Sequence, residues 1–283
     1  MSEIINEPSL KAELRSTSRI TDVETDEVRE LVLYIDEPSF RFTQGQSIGV
    51  IVPGKDEFGS TNHHRRYSIA RGSLAAEGGG EITLLVRRCF YIDDFNGEQY
   101  PGRASNYLCD AKVGDIISIT GPYRSPFKIP ADKKANILMV GTGTGIAPFR
   151  AFIEHIYKDK GGWEGQVRLF YGAKSGLDLL YMNDQNNDLT NYYQEDTFRA
   201  FNALTHRPLS GDEKALEHSL QENLQEAWEL IQKPDTYVFL SGLEKIAPSL
   251  DMVLSHAAGS EEAWKVVKQK MKNEGRWSKL LYS

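Results

Sequence analysis

Between residue 13 and about residue 123 the apolar positions come in short runs rich in β-branched residues, cut by glycine, proline and charged turns. The clearest are VRELVLYID (28–36), QSIGVIVPG (46–54), RRYSIARGS (65–73), EITLLVRRCF (81–90) and DIISITGPY (115–123). Such spacing predicts strands of an antiparallel barrel or sandwich, with the glycines of AAEGGGEI at a hairpin tip. The first dozen residues lack this pattern and read as a flexible arm or an edge extension. From about residue 135 the rhythm changes. NILMV, QVRLFYGA (166–173), FRAFNALT (198–205) and TYVFLSG (236–242) read as buried strands. Between and after them lie stretches of helical period: APFRAFIEHIYKD, one long helix over 213–232, SLDMVLSHAA and EEAWKVVKQKMKNEG. Alternating strands and helices predict a doubly wound parallel sheet. The expected organisation is an arm (1–12), a Greek-key β-barrel domain (13–134) and an α/β nucleotide domain (135–283).

Composition narrows the classes. The chain has 283 residues, 40% of them hydrophobic and 26% charged, enough for two cored domains. Its 33 basic and 40 acidic residues give a net charge of −7, which argues against nucleic acid or an anionic membrane as the main partner. Two cysteines, Cys89 and Cys109, rule against a disulfide framework, a zinc ribbon and a cysteine-ligated cluster. His63 and His64 are adjacent and point to opposite sides of an extended chain, so no metal site is expected. The first residues lack a basic and then apolar leader, and no apolar run approaches the roughly 20 residues of a membrane span. A cytoplasmic protein without a membrane span, and a monomer, is the expectation.

The chemistry concentrates where the first strand of the second half ends, in GTGTGIAPF. Gly141, Gly143 and Gly145 lack a Cβ, so the chain can turn tightly and present bare N–H groups, with Thr142 and Thr144 between them. A helix starting near Ala147 adds its positive end, and a diphosphate suits that site. No Gly-Lys-Ser/Thr follows, so this is not a Walker A loop. No acidic residue closes the next strand, so the ribose must be recognised elsewhere.

In order along the chain, RRYSIA (65–70), LLVRRCFY (84–91), GRASNYLCD (102–110), GTGTGIAPFRAF, FYGAKSGLDLLY (170–181) and YVFLSGL (237–243) resemble the motifs of the plant-type ferredoxin–NADP(+) reductase family. That resemblance implies an FAD-binding barrel and an NADP(H)-binding domain. It implies hydride exchange between NADP(H) and flavin N5, and one-electron exchange with a carrier, ferredoxin or flavodoxin. It assigns Arg65 to the FAD diphosphate, Tyr67 to stacking on the isoalloxazine and Ser68 to the N5 edge. Ser105, Asn106 and Tyr107 would close over FAD, although a Ser-Asn pair is also turn chemistry. Tyr91 would line the adenosine, a place a buried barrel tyrosine fills equally well. Arg87 would approach the NADP diphosphate while Arg88, on the opposite face, differs in role. Thr205, Arg207 and Lys214 are the residues for a 2′-phosphate, which favours NADP(H) over NAD(H).

Two departures touch the reaction centre. Ser241 stands where the family has a cysteine, before Gly242 and Leu243. Leu280 stands where a glutamate relays protons, with Tyr282 expected to cover the flavin. Arg15, Arg19, Arg71 and Arg87 are the expected cations for an acidic carrier. Two other readings remain open: an NADH-dependent reductase component supplying an oxygenase through a separate ferredoxin, and a non-catalytic flavin-binding subunit.

Overall fold

The computed structural model describes residues 8–54, 62–93, 95–173, 179–182, 188–189, 196–204 and 215–282, with backbone only for 62, 202–204 and 215–218. The chain divides into two units, 1–125 and 126–283.

In the first unit the strands are β1 (Leu10–Arg19), β2 (Val28–Ile35), β3 (Ser47–Pro53), β4 (Asn62–Leu74) and β5 (Gly80–Arg87). A small hairpin of β6 (Phe90–Ile92) and β7 (Gln99–Pro101), helix α1 (Arg103–Asp110) and β8 (Ile116–Tyr123) follow. Six strands close a barrel in the order β1-β2-β5-β4-β3-β8, with every pairing antiparallel. Alternation explains the closure: Leu31, Leu33 and Ile35 of β2 point inward beside Ile48 and Val50, Ile82 and Leu84, and Ile117 and Ile119. Each such side chain contributes about 1.5–3 kcal/mol on burial.

Two features depart from the sequence expectation. Residues 10–12, expected in the arm, belong to β1, which pairs with both β2 and β8 and closes the barrel. It sends only Ala12 and Leu14 fully inward, too little apolar signal to reveal a strand. The run 81–90 is not one strand, because β5 ends at Arg87 and Phe90 starts the separate hairpin.

The second unit contains β9 (Asn136–Thr142), α2 (Ile146–Glu154), β10 (Val167–Ala173), β11 (Phe198–Leu204), α3 (Ala215–Glu222) and α4 (Leu224–Gln232). β12 (Thr236–Leu243), α5 (Ile246–Ala258), α6 (Glu261–Asn273) and β13 (Trp277–Tyr282) complete it. Its sheet is wholly parallel, in the order β11-β10-β9-β12-β13, so β11 is an edge strand. The chain reverses its direction of travel across the sheet at β9, where β10 lies on one side and β12 on the other. Ligands of such sheets bind at this switch point, beyond the carboxyl ends of the strands. Residues 126–134, read with the barrel from sequence, belong here. Phe127 packs among Phe149, Phe152 and Phe239 in tilted and edge-on contacts at centroid distances of 5.7, 6.1 and 5.2 Å.

The single helix expected over 213–232 is two, α3 and α4, within the described residues. At Asn223 the backbone leaves helical angles (φ −113°, ψ 23°), and the Ser219 carbonyl accepts both its N–H at 3.3 Å and its side-chain amide at 2.9 Å. Leu220 is still buried, and Leu224 and Trp228 pack on the same core.

Candidate active site

On the barrel, β4 carries Arg65, Arg66, Tyr67 and Ser68 opposite Val50, Gly49, Ile48 and Ser47 of β3. Tyr67 packs against the barrel core, and burial pushes its phenol well above the ordinary range despite the Arg65 charge. It is therefore a neutral ring with a donor at its tip. Arg65 is exposed beside it. Arg66, which lies between them, sits 3.8 Å over the Tyr123 ring.

Ser105, Asn106 and Tyr107 lie on a helix, not in a turn. α1 starts after Gly102 with no side-chain cap and no acid in its first turn, so its first amides lack intrahelical acceptors. The Ser105 hydroxyl is used inside the unit: it accepts from Cys89 N–H at 3.1 Å and donates to the Gly102 carbonyl at 3.2 Å. Asn106 donates to the Cys89 and Gly102 carbonyls, both at 2.9 Å. Arg88 completes the set, donating to Asn106 Oδ1 at 2.8 Å, Glu27 at 2.7 Å and Asp110 at 2.8 Å. Ser105 and Asn106 thus fix the start of α1, and what they offer a ligand is its uncapped amides. Arg103, the first helical residue, adds a cation that sequence reasoning missed; it reaches the Gly54 carbonyl at 2.9 Å.

Arg87 and Arg88 do differ in setting. Arg87 is half-exposed, 3.6 Å from Asp26, whereas Arg88 is locked in the network above. Tyr91 is no buried barrel tyrosine. It lies 56% exposed on the β6–β7 hairpin, stacked on Tyr100 at 5.6 Å, because the chain has left the barrel by Phe90. Among the four expected docking cations, Arg19 is committed to a turn, donating to the carbonyls of Thr21, Asp22 and Thr25. Arg15 pairs with Glu13 and lies over Tyr34. An uncapped helix start beside exposed cations and a stackable aromatic pair suits a dinucleotide such as FAD.

In the second unit the three loop glycines do three different jobs. Gly141 is in the strand, and a Cβ there would meet the Phe149 ring at 3.0 Å. Gly145 is buried where the loop crosses β12, with a Cβ placed 2.3 Å from the Ser241 carbonyl oxygen. Gly143 alone of the three faces open space: its φ is +52° and the nearest atom to a Cβ is Tyr282 Oη at 4.0 Å. Residues 143–145 form one 3₁₀ turn that leads into α2. The fully buried Tyr171 donates to the Gly143 carbonyl at 2.9 Å and holds that turn from below. Sequence reasoning missed Tyr171, because its hydroxyl hides in an apolar strand.

Ser241, Gly242 and Leu243 end β12 beside this turn. Leu243 N–H donates to Thr142 Oγ1 at 3.3 Å, and Gly242 takes φ +133° against Thr142. Ser241 is 1% exposed, and its Oγ has no hydrogen-bond partner among the described residues. A buried hydroxyl left unsatisfied is costly and asks for an explanation. At the end of a central strand beside a glycine turn, a polar ligand supplies one, so the residues fit a dinucleotide. Ser241→Ala is expected to keep or raise stability without ligand, by up to about 1 kcal/mol, and to weaken dinucleotide binding. Thermal unfolding with and without NADP+ measures both. Leu280 pairs with Ser241 across β12 and β13, and Tyr282 with Leu243. The Tyr282 hydroxyl lies 2.9 Å from Thr144 Oγ1. Thr205, Arg207 and Lys214 lie outside the described residues.

The barrel carries an uncapped helix start beside exposed cations, and the second unit is a parallel sheet with a glycine turn at its switch point, the architecture of a nucleotide-binding α/β unit. A family profile described as "Oxidoreductase NAD-binding domain" matches residues 139–251. Ferredoxin–NADP reductase of Synechocystis is 34% identical over 257 residues, 88% of this chain and 62% of that protein. The Spirulina ferredoxin–NADP reductase is 34% identical over 260 residues, 89% of this chain and 88% of the relative. Leaf isozyme 1 of Oryza sativa subsp. indica, chloroplastic, is 33% identical over 258 residues, 89% and 70%. Among solved structures, ferredoxin-NADP+ reductase from Plasmodium falciparum superposes with TM-score 0.72 at 19% identity, covering 97% of this chain and 96% of the other. The same enzyme with 2′P-AMP superposes at 0.73 and 18% identity, with the same coverage. The chain belongs to the ferredoxin–NADP reductase family. It spans less than two thirds of the Synechocystis relative and most of the Spirulina one.

Proposed function

We propose that this chain is an FAD-dependent ferredoxin–NADP(+) reductase. The observation that carries the reading is the cradle at the switch point: an open Gly143 turn held by Tyr171 beside a buried Ser241 hydroxyl that lacks a partner. Bare amides at 143–145 receive the dinucleotide diphosphate. Ser241 Oγ hydrogen-bonds the nicotinamide end and orients it. On the barrel, the start of α1 and Arg65 take the FAD diphosphate, Tyr67 offers a neutral ring face, Ser68 a hydroxyl toward the N5 edge, and Tyr91 an exposed ring for the adenine. FAD, when bound, supplies what no side chain can: it accepts a hydride as an electron pair and passes electrons on singly.

Thr205, Arg207 and Lys214 are proposed to hold the 2′-phosphate and so to favour NADP(H). The carrier is a ferredoxin or flavodoxin, meeting cations of the barrel unit such as Arg15, Arg71 and Arg87. We place the protein in the cytoplasm as a monomer; no described helix is long and apolar enough to cross a membrane. Titration of the purified yellow protein with NADPH and then NADH tests the reading. NADPH is expected to bleach the flavin at concentrations where NADH leaves it oxidised, and cytochrome c reduction is expected to require added ferredoxin. Colourless protein that takes up no FAD overturns the proposal. Preference for NADH points instead to an oxygenase-feeding reductase, and bound FAD that neither nucleotide reduces points to a non-catalytic subunit.

A further inference from the structure

One buried hydroxyl in the second unit touches the glycine turn without being open to a ligand itself. Tyr171 sits inside the apolar run VRLFYGA of β10, where its backbone pairs with Gly141 of β9 and Asn202 of β11. The side chain is 0% exposed, so a phenylalanine would serve the packing equally well. A hydroxyl in such a place costs stability unless it is hydrogen-bonded, and this one donates to the Gly143 carbonyl at 2.9 Å. The same carbonyl accepts from the N–H of Ile146, the residue that opens α2. Two donors thus converge on one carbonyl oxygen, which has two lone pairs to offer. The peptide bond from Gly143 to Thr144 is trans and planar, so its N–H points away from that carbonyl. Fixing the carbonyl therefore fixes the aim of the Thr144 amide, next to the one loop glycine of the three that faces open space.

We propose that Tyr171 is a positioning residue for the dinucleotide diphosphate: its phenol aims and polarises the Gly143–Thr144 peptide, so that the N–H and not the carbonyl meets the anion. The inference rests on the dinucleotide reading above. A carbonyl that already accepts hydrogen bonds polarises its own peptide, which makes the N–H a stronger donor to phosphate. Without the phenol the peptide is free to tilt its oxygen toward the ligand, where like partial charges repel. The contribution depends on phosphate at the turn and on nothing else. A ligand that lacks a 5′-phosphate, such as adenosine 2′-monophosphate, does not engage the turn and does not sense the phenol. The effect falls on binding and not on the chemical step, because the peptide it orients meets phosphate oxygens and no reacting atom.

Tyr171→Phe in the full-length holoprotein tests it, since the variant keeps the buried ring and removes one oxygen. Affinity for NADP+ is expected to fall about 5- to 10-fold, the worth of one net hydrogen bond, while adenosine 2′-monophosphate stays within about twofold. In steady state the KM for NADPH is expected to rise by a similar factor, with kcat within about twofold of wild type. Equal losses for both ligands overturn the inference, because a merely structural contact moves them together. A fall in kcat at unchanged KM overturns it as well, since the phenol would then act on the chemical step. Wild-type protein that binds neither NADP+ nor NAD+ fails the dinucleotide reading itself. Wild-type binding of NADP+ that Tyr171→Phe leaves unshifted fails the positioning role alone.

Discussion

Gly145→Ala is expected to destabilise the dinucleotide unit by about 2–4 kcal/mol and to abolish NADPH oxidation. The added methyl would stand 2.3 Å from the Ser241 carbonyl oxygen, 2.5 Å from its carbon and 2.7 Å from the Gly242 Cα. All three are backbone atoms in or next to a central strand, so no side chain can swing aside. Either β12 retreats from β9 or the turn lifts away, and each outcome dismantles the cradle. Gly143→Ala is the informative contrast. Its φ of +52° costs an alanine about 1 kcal/mol, but the methyl enters open space. Stability should fall little while dinucleotide affinity falls clearly. Urea midpoints with a flavin-independent probe, paired with NADP+ titration, separate the two. A wild-type midpoint for Gly145→Ala contradicts the packing role assigned to that glycine.

Arg88→Met is expected to cost the barrel unit about 2–3 kcal/mol and to loosen FAD. Arg88 ties Glu27 to Asn106 and Asp110, and so fixes α1 against the β2–β5 side of the barrel. Its side chain and that of Glu27 are only 19% and 20% exposed, so removing one leaves the other poorly solvated. The variant also changes the response to acid. Burial alone would raise the Glu27 carboxyl, yet hydrogen bonds from Arg88 and Arg29 hold it below its ordinary 4.5. A carboxyl depressed in the folded state binds fewer protons there than in the unfolded chain. Its stabilisation is present above pH 4.5 and is lost as pH falls through the folded value. Wild-type stability should therefore decline on acidification below about pH 5, and Arg88→Met should decline less over that range. Parallel acid limbs for the two proteins would remove Glu27–Arg88 as the cause.

The second unit was the more legible half, for a physical reason. Its central strands are covered on both faces, so NILMV, VRLFYG and YVFLSG are continuous apolar runs that composition alone reveals. β1 is the opposite case: LKAELRSTSR has two fully inward side chains, and only its pairing with β2 and β8 makes it a strand. α1 was hidden because nothing in RASNYLCD signals a helix start. Gly102 offers no capping side chain, and Ser105 and Asn106 bond backward to the loop. The site residues were legible as types and not as jobs. Three glycines at alternate positions announced a cradle, but only the proximity of β12 to Gly145 and the open face of Gly143 separate packing from binding. Arg19 reads as one more surface cation until its three carbonyl partners are in view.

The placement of β11 at the rim of the sheet has a consequence for how this protein can change. The glycine turn and Ser241 hang from β9 and β12, which are flanked by strands on both sides. The segment after β11, where the candidate 2′-phosphate residues lie, follows a strand with one neighbour among the described residues. Substitutions beyond the end of an edge strand strain the middle of a sheet less than substitutions in its central strands. If the proposed 2′-phosphate residues act as assigned, coenzyme preference can be altered at the rim while the glycine turn between β9 and β12 stays as it is.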